Sequence, residues 1–288
     1  MEIIVKVNKL NDIEKLDKVD GYLLSNRHFS YRFDESFCIN KIRKVKTFAK
    51  KHGKKVYVLI NKIFKDHEIE KLTDFLTKLK KVDVDGIFFA DLGVFMVASE
   101  LDMQDKCIFY HETFLRNTYD ILTYQSYGIN KVVCSKDMNL EDIKLLNTEN
   151  KDNYGILCFG YIPLYQSQRQ IISTYVKQNN LDKSIINSKQ LTLKEHTREE
   201  HYKVIQQEGI SSIFESNVLS YLPYIKQLSQ NINMFIVDSL FFDVDYINNV
   251  IDLIYQSYEG KDVTKQLENL NEKVSFTDGF LNKRIGLM

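Results

Sequence analysis

Eight short apolar runs, each followed by a polar stretch with helical spacing, constrain this 288-residue chain more than any other feature. They are IIVKV (3–7), GYLLS (21–25), VYVLI (56–60), GIFFA (86–90), CIFYH (107–111), KVVCS (131–135), GILCF (155–159) and FIVDS (235–239). Each is rich in β-branched or aromatic residues and most do not alternate with polar ones, which suits strands buried on both faces of a parallel sheet. In the intervening segment 39–51, Ile39, Ile42, Val45 and Phe48 share one helical face. In 66–80, Ile69, Leu72, Phe75, Leu76 and Leu79 do the same, with Asp66 placed to cap the start. Residues 139–146 open with Asn139 and carry Asp142 three positions on, a capping pair. Strands alternating with helices eight times over predict a (β/α)8 TIM-like barrel. A doubly wound open sheet obeys the same periodicity, which does not itself show closure.

The rhythm breaks between the seventh and eighth runs. Residues 160–233 read as a loop, a polar helix and two alternating runs, QLTLKEH (190–196) and HYKVIQQ (201–207), joined through TREE (197–200) as a β-hairpin. A further run, SSIFES (211–216), is expected to lead into a helix over 217–230. The block is too small and too polar for a second core. The expected organisation is one barrel domain over 1–258 that carries 160–233 as a rim insertion. A tail, 259–288, packs on the barrel or on a partner.

Charge decides which partners are excluded. Lys plus Arg and Asp plus Glu each number 39, so a uniformly basic nucleic-acid surface is ruled out and only a local patch is left open. No apolar run approaches the roughly 18 residues of a membrane span. The start, MEIIVKVNKLNDIEKL, lacks the pattern of a signal peptide, and a cytoplasmic protein with no membrane contact is expected. Cys38, Cys107, Cys134 and Cys158 form no CxxC motif; the last three lie in apolar runs and read as small core residues.

A barrel of this kind builds its site where its strands end, on the C-terminal face. Those ends supply Asn61, Asp91, His111 with Glu112, Lys136 with Asp137, Gly160 and Asp238. Asp91, Asp137 and Glu112 are the candidates for acid–base work, although Asp91 equally suits a helix cap and Lys136–Asp137 a rim ion pair. His111 has no second histidine at ligand spacing, so no metal site is expected. Arg32, in the aromatic loop HFSYRFDES, can hold an anion or cover aromatic rings. No GxSxG elbow, HExxH helix or phosphate-binding loop is present.

Five segments in order give the chain a resemblance to a known family. DGYLLSNRHFSYRF supplies a Ser-x-Arg step at Ser30 and Arg32; VLINK ends a strand on Asn61; ADLGVF carries Asp91 and Gly93. RNTYDILTYQSYGINKVVCSKDMNLEDI carries Asn117, Gly128, Lys136 and Asp137, and CFGYIPLYQSQRQ carries Gly160, Pro163, Leu164, Ser167 and Arg169. Together they resemble the collagenase-like peptidase family of unassigned mechanism, family U32, over roughly residues 1–175, with a weaker echo across 211–288.

That resemblance implies that the chain is a partner protein in prephenate-dependent hydroxylation of the tRNA wobble uridine rather than a working protease. Arg32, Lys136 and Arg169 would hold an anionic group from prephenate or tRNA phosphate, and Asn61, Asp91 and Asp137 would orient it. Asn117, Gly160, Ser167 and Asp238 complete the candidate binding set. Cluster-bearing members carry a cysteine directly after the arginine, where this chain has Gln170. The resemblance therefore implies no iron–sulfur cluster here, and a longer cluster-bearing relative, or a second copy of the chain, as partner. A collagenase-like peptidase and a non-catalytic scaffold barrel are the two other readings.

Overall fold

In a computed structural model that describes residues 1–270 and 274–283, the apolar runs close on themselves. Seven strands follow one another: β1 (Glu2–Lys6), β2 (Gly21–Ser25), β3 (Lys55–Ile60), β4 (Gly86–Phe89), β5 (Cys107–Phe109), β6 (Lys131–Cys134) and the long β7 (Tyr154–Ser167). Three more, β8 (Thr192–Lys194), β9 (His201–Gln207) and β10 (Ile210–Ser220), precede β11 (Met234–Asp238). Neighbours β1 to β7 pair in parallel, and β11 pairs in parallel with both β7 and β1, closing an eight-stranded barrel. The expected (β/α)8 architecture is therefore the fold, and the open sheet is not.

The non-alternating strands are explained by two apolar faces. Ile4, Leu23, Tyr57, Leu59, Phe88, Ile108, Val133, Met234 and Ile236 fill the barrel interior. Residues between them in sequence, such as Ile3, Val5, Leu24 and Phe89, pack outward against the helices. Tyr57 is the widest interior side chain of this set, and it needs neighbours without side chains. A Cβ on Gly21 or Gly86, on the flanking strands, would stand 2.8 Å from the Tyr57 ring.

The helices lie between successive strands. α1 (Ile39–Lys51) buries Ile42, Val45 and Ala49; α2 (Ile69–Val82) buries Leu72, Phe75, Leu76, Leu79 and Val82. The expected Asp66 cap is not made: residues 66–68 form a short 3-10 turn, and Glu68 folds back to accept from the Lys65 amide. α3 (Leu92–Glu100) starts at Asp91, α4 (Thr118–Ser126) at Asn117, and α5 (Leu140–Lys144) at Asn139, whose side chain accepts from the Asp142 amide at 2.9 Å. α8 (Val244–Tyr258) follows β11, after the short α6 (Ile171–Gln178) and α7 (Ile225–Leu228).

The rim block departs most from expectation. Residues 160–167 are not a loop but the outer half of β7. Past Phe159 that strand leaves β11 and pairs antiparallel with β10, which extends to Ser220. The β8–β9 hairpin forms as expected and β9 joins β10, so a small sheet stands on the barrel rim. The expected helix over 217–230 is replaced by the end of β10, a 3-10 turn at Leu222–Tyr224 and α7. Pro223 disfavours a continuous α-helix through 217–230 but fits the first turn of the short 3-10 segment, and β7 offers residues 218–220 a strand to pair with. Of the tail, α9 (Thr264–Asn269) and β12 (Phe276–Thr277) are described; β12 pairs in parallel with β10, and Leu281 is buried. The remainder of the tail assignment, 271–273 and 284–288, lies outside the described residues.

Candidate functional site

Strand ends from around the barrel enclose a cavity of about 40 Å³ at the C-terminal mouth. Its floor is apolar, formed by Leu23, Leu59, Leu157 and Ile236, and its wall by Tyr161, Ile162 and Phe214 of β7 and β10. Polar groups converge above: Lys6, Arg32, Asn61, Glu112, Lys136 and Asp238. An adjoining outer cleft of about 210 Å³ shares Arg32, Asn61, Tyr110, His111 and Glu112 with the cavity.

Each cation of the mouth has a carboxylate partner. Lys6 Nζ lies 2.5 Å from Asp238 Oδ2. Burial lowers the Lys6 amine below its ordinary value, and Asp238 opposes the drop. Arg32 donates to both oxygens of Glu112, and its Nη1 also donates to Gln166 Oε1 at 2.9 Å. Lys136 Nζ lies 3.4 Å from Asp137 Oδ1, and Arg116 holds the other oxygen of Asp137 at 3.0 Å. The three cations that line the cavity thus each face a carboxylate, Asp137 standing just behind the lining.

Local structure fixes these groups. Arg32 has φ +60, a left-handed backbone that turns its loop toward the mouth, and the Asn61 side chain accepts from the Tyr31 amide at 2.8 Å. Gly160 has φ +143 at the point where β7 leaves the barrel. A Cβ there would lie 2.8 Å from Asp238 Cβ and 3.0 Å from the Asp238 carbonyl oxygen, so the absence of a side chain lets β7 pass over the Lys6–Asp238 pair. Burial pushes the Tyr110 phenol well above its ordinary value, with Glu112 and Asp238 adding to the shift. Burial also lowers His111, against the pull of Glu112. Its Nδ1 accepts from the Thr113 amide at 3.3 Å, and the ring stacks on Phe114 at 4.0 Å.

Of the sequence candidates, Arg32, Asn61, Glu112, Lys136 and Asp238 meet at the mouth, with Asp137 and Gly160 directly behind. The other four stand elsewhere. Asp91 is taken up by backbone: Oδ1 accepts from the Gly93 amide and Oδ2 from the Phe64 amide, each at 2.8 Å. Asn117 caps α4 through the Asp120 amide. Ser167 accepts from the Arg169 amide at the outer end of β7, and the exposed Arg169 lines neither the cavity nor the cleft. Lys6, Tyr110 and Gln166 escaped sequence reasoning. Lys6 did leave a signal, a lone cation within the apolar run IIVKV. Gln166 left none, because its place depends on β7 continuing past Gly160.

The thiols are dispersed. Cys38 is exposed; Cys107, Cys134 and Cys158 are buried on β5, β6 and β7. Burial raises Cys107 and Cys134 to about 12, and Cys158 further. Among the described residues, no group of three or more His, Cys, Asp or Glu side chains is placed to hold a metal ion.

Comparison with known proteins adds lineage to this geometry. The chain is similar to tRNA hydroxylation protein P2 of Bacillus subtilis (strain 168), 23% identical over 264 residues, which span 90% of this chain and 85% of that one. It is also similar to the 23S rRNA 5-hydroxycytidine C2501 synthase of Escherichia coli (strain K12), 23% identical over 154 residues. These cover 51% of this chain but only 23% of that relative. The solved structure of the U32 peptidase Mk0906 shares the fold, with a TM-score of 0.52 and 13% identity over 82% of this chain and 92% of that one. The profile described as Peptidase family U32 matches residues 14–286. With nearly the whole chain inside that match, the protein belongs to peptidase family U32.

Proposed function

We propose that this chain acts in RNA hydroxylation, as a partner protein in the prephenate-dependent hydroxylation of the tRNA wobble uridine. The observation that carries the reading is the near end-to-end similarity to tRNA hydroxylation protein P2, over 90% of this chain. The barrel mouth supports it chemically. Three cations over an apolar floor offer a small dicarboxylate its charge partners, and the cavity of about 40 Å³ must widen to admit it as the ion pairs open. Because every cation there is already paired, the co-substrate enters by exchange: its carboxylates replace Glu112 at Arg32 and Asp137 at Lys136. The Lys6–Asp238 pair stays beneath as a fixed dipole.

Several features favour this over proteolysis. Among the described residues no serine or cysteine hydroxyl or thiol bonds a histidine. Ser30 donates to the Leu59 carbonyl, and Ser135 donates to the Glu112 carbonyl while accepting from the Asp137 amide. The thiols nearest the mouth are held protonated by burial. No cluster is part of the proposal. Gln170 stands at the start of α6 where the cluster-bearing pattern has a cysteine, and the four thiols lie on separate elements. A longer cluster-bearing relative supplies that chemistry as the partner, in the cytoplasm where tRNA is modified.

The test is nucleoside mass spectrometry of tRNA from a strain lacking this gene and any paralogue. Loss of hydroxylated uridine, restored by the gene in trans, is expected. Unchanged hydroxylation overturns the proposal.

A further inference from the structure

The cleft above the cavity carries features that co-substrate binding does not use. Asn61 Oδ1 is held by the Tyr31 amide, which leaves its Nδ2 amino group without a partner among the described residues. Gln166 Oε1 is held by Arg32, which leaves its Nε2 amino group in the same state. Both residues line the cleft. Two N–H₂ donors are thus oriented by their own carbonyls and, among the described residues, are not taken up by the protein, so they face the open cleft.

The walls around them are flat or apolar and open to solvent. His111 lies in a parallel stack on Phe114, tilted by 13°. Tyr165, 43% exposed, and Ile63, 59% exposed, line the same cleft. Large apolar side chains gathered at a pocket's edge, with polar groups between them, mark a ligand surface rather than ordinary protein exterior.

We propose that this cleft is a slot for one unpaired pyrimidine of an RNA, its ring laid against His111 and Tyr165 and its carbonyl edge read by Asn61 and Gln166. The inference rests on the RNA-hydroxylation reading and assigns the residues that would read the uridine there. Uracil presents two carbonyl acceptors, which two amide donors satisfy. Cytosine replaces one of them with an amino donor, which would face a second donor and leave both unpaired. The base must be unpaired, because a duplex hides both its face and its edge. Arg32, Asn61 and Tyr110 line cleft and cavity alike, so the slot opens directly onto the co-substrate site.

The test uses the whole chain and two fluorescent five-nucleotide probes, oligouridylate and oligocytidylate, with binding read by anisotropy. The wild type is expected to favour oligouridylate. Tyr165→Ala should weaken that binding roughly 10-fold, the scale of one lost base stack. Gln166→Leu should erase the preference for oligouridylate. Both side chains are exposed, so neither change threatens folding. No binding by the wild type, equal binding of the two probes, or unaltered binding by both variants overturns the slot. So does self-association of the wild type that Tyr165→Ala abolishes, because the apolar rim is then a subunit interface. The two proposals fail separately. A deletion strain that keeps its hydroxylated uridine defeats the function. A strain that loses it but recovers fully with either variant defeats only the slot.

Discussion

Lys6 and Asp238, 232 residues apart, join the first and last strands of the barrel through a 2.5 Å ion pair whose side chains are 6% and 20% exposed. A buried pair of this kind gains little over an apolar pair of the same shape, but breaking one side leaves a charge stranded. Asp238→Asn is therefore expected to cost about 3–5 kcal/mol in denaturant unfolding. The double variant Lys6→Met/Asp238→Leu should recover more than half of that loss. Equal losses in the single and double variants would show that the two charges are not coupled.

Gly160 sits at φ +143 with Asp238 against the place a Cβ would occupy. Gly160→Ala combines backbone strain with a clash against a backbone carbonyl and is expected to cost about 2 kcal/mol or more. Thermal unfolding measures it; a melting temperature within a degree of the wild type would contradict the geometry.

Asp91 is at a strand end, yet both its oxygens accept from backbone amides. Asp91→Ala should lower stability by about 1–2 kcal/mol through loss of the cap, while Asp91→Asn, which keeps one acceptor, loses less. Both variants should restore tRNA hydroxylation in the deletion strain at a permissive temperature. A stable Asp91→Asn protein that fails to restore it would assign the carboxylate a chemical role.

Thiol reactivity should be one-sided. Cys38 is exposed, and the other three are buried with raised thiol pKa values. A chromogenic disulfide reagent is expected to label one thiol per native chain within minutes and the remaining three only on unfolding. Fast labelling of two or more would place a second thiol in contact with solvent.

His111 titrates below the ordinary histidine value of 6.5 because burial disfavours its charged form. The unfolded chain then takes up this proton at a higher pH than the folded one. Stability from this group is undiminished above pH 6.5, falls as pH drops through that value, and levels off below the folded pKa. His111→Phe should flatten this part of the stability–pH curve. An imidazole NMR titration with its midpoint above 6.5 would reverse the sign.

The barrel was legible because its strands are buried on both faces, and continuous runs such as VYVLI have no other easy home. Strand ends then located Asn61, Glu112, Lys136 and Asp238, since the fold brings strand ends together whatever lies between them. Local signals failed where long-range pairing overrode them. The segment from residue 160 reads as a loop, but β10 holds it extended, and Gln166 reaches the cleft only because of that pairing. Asp91 and Asn117 show the opposite limit: sequence places a polar residue at a strand end or helix start without saying whether it faces the ligand or the backbone.

The closing strand also decides how many edges the sheet presents. Because β11 lies between β7 and β1, a sheet without it would end in two unpaired strand edges, one on β1 and one on the inner half of β7. Five residues, 234–238, therefore cover two adhesive borders at once.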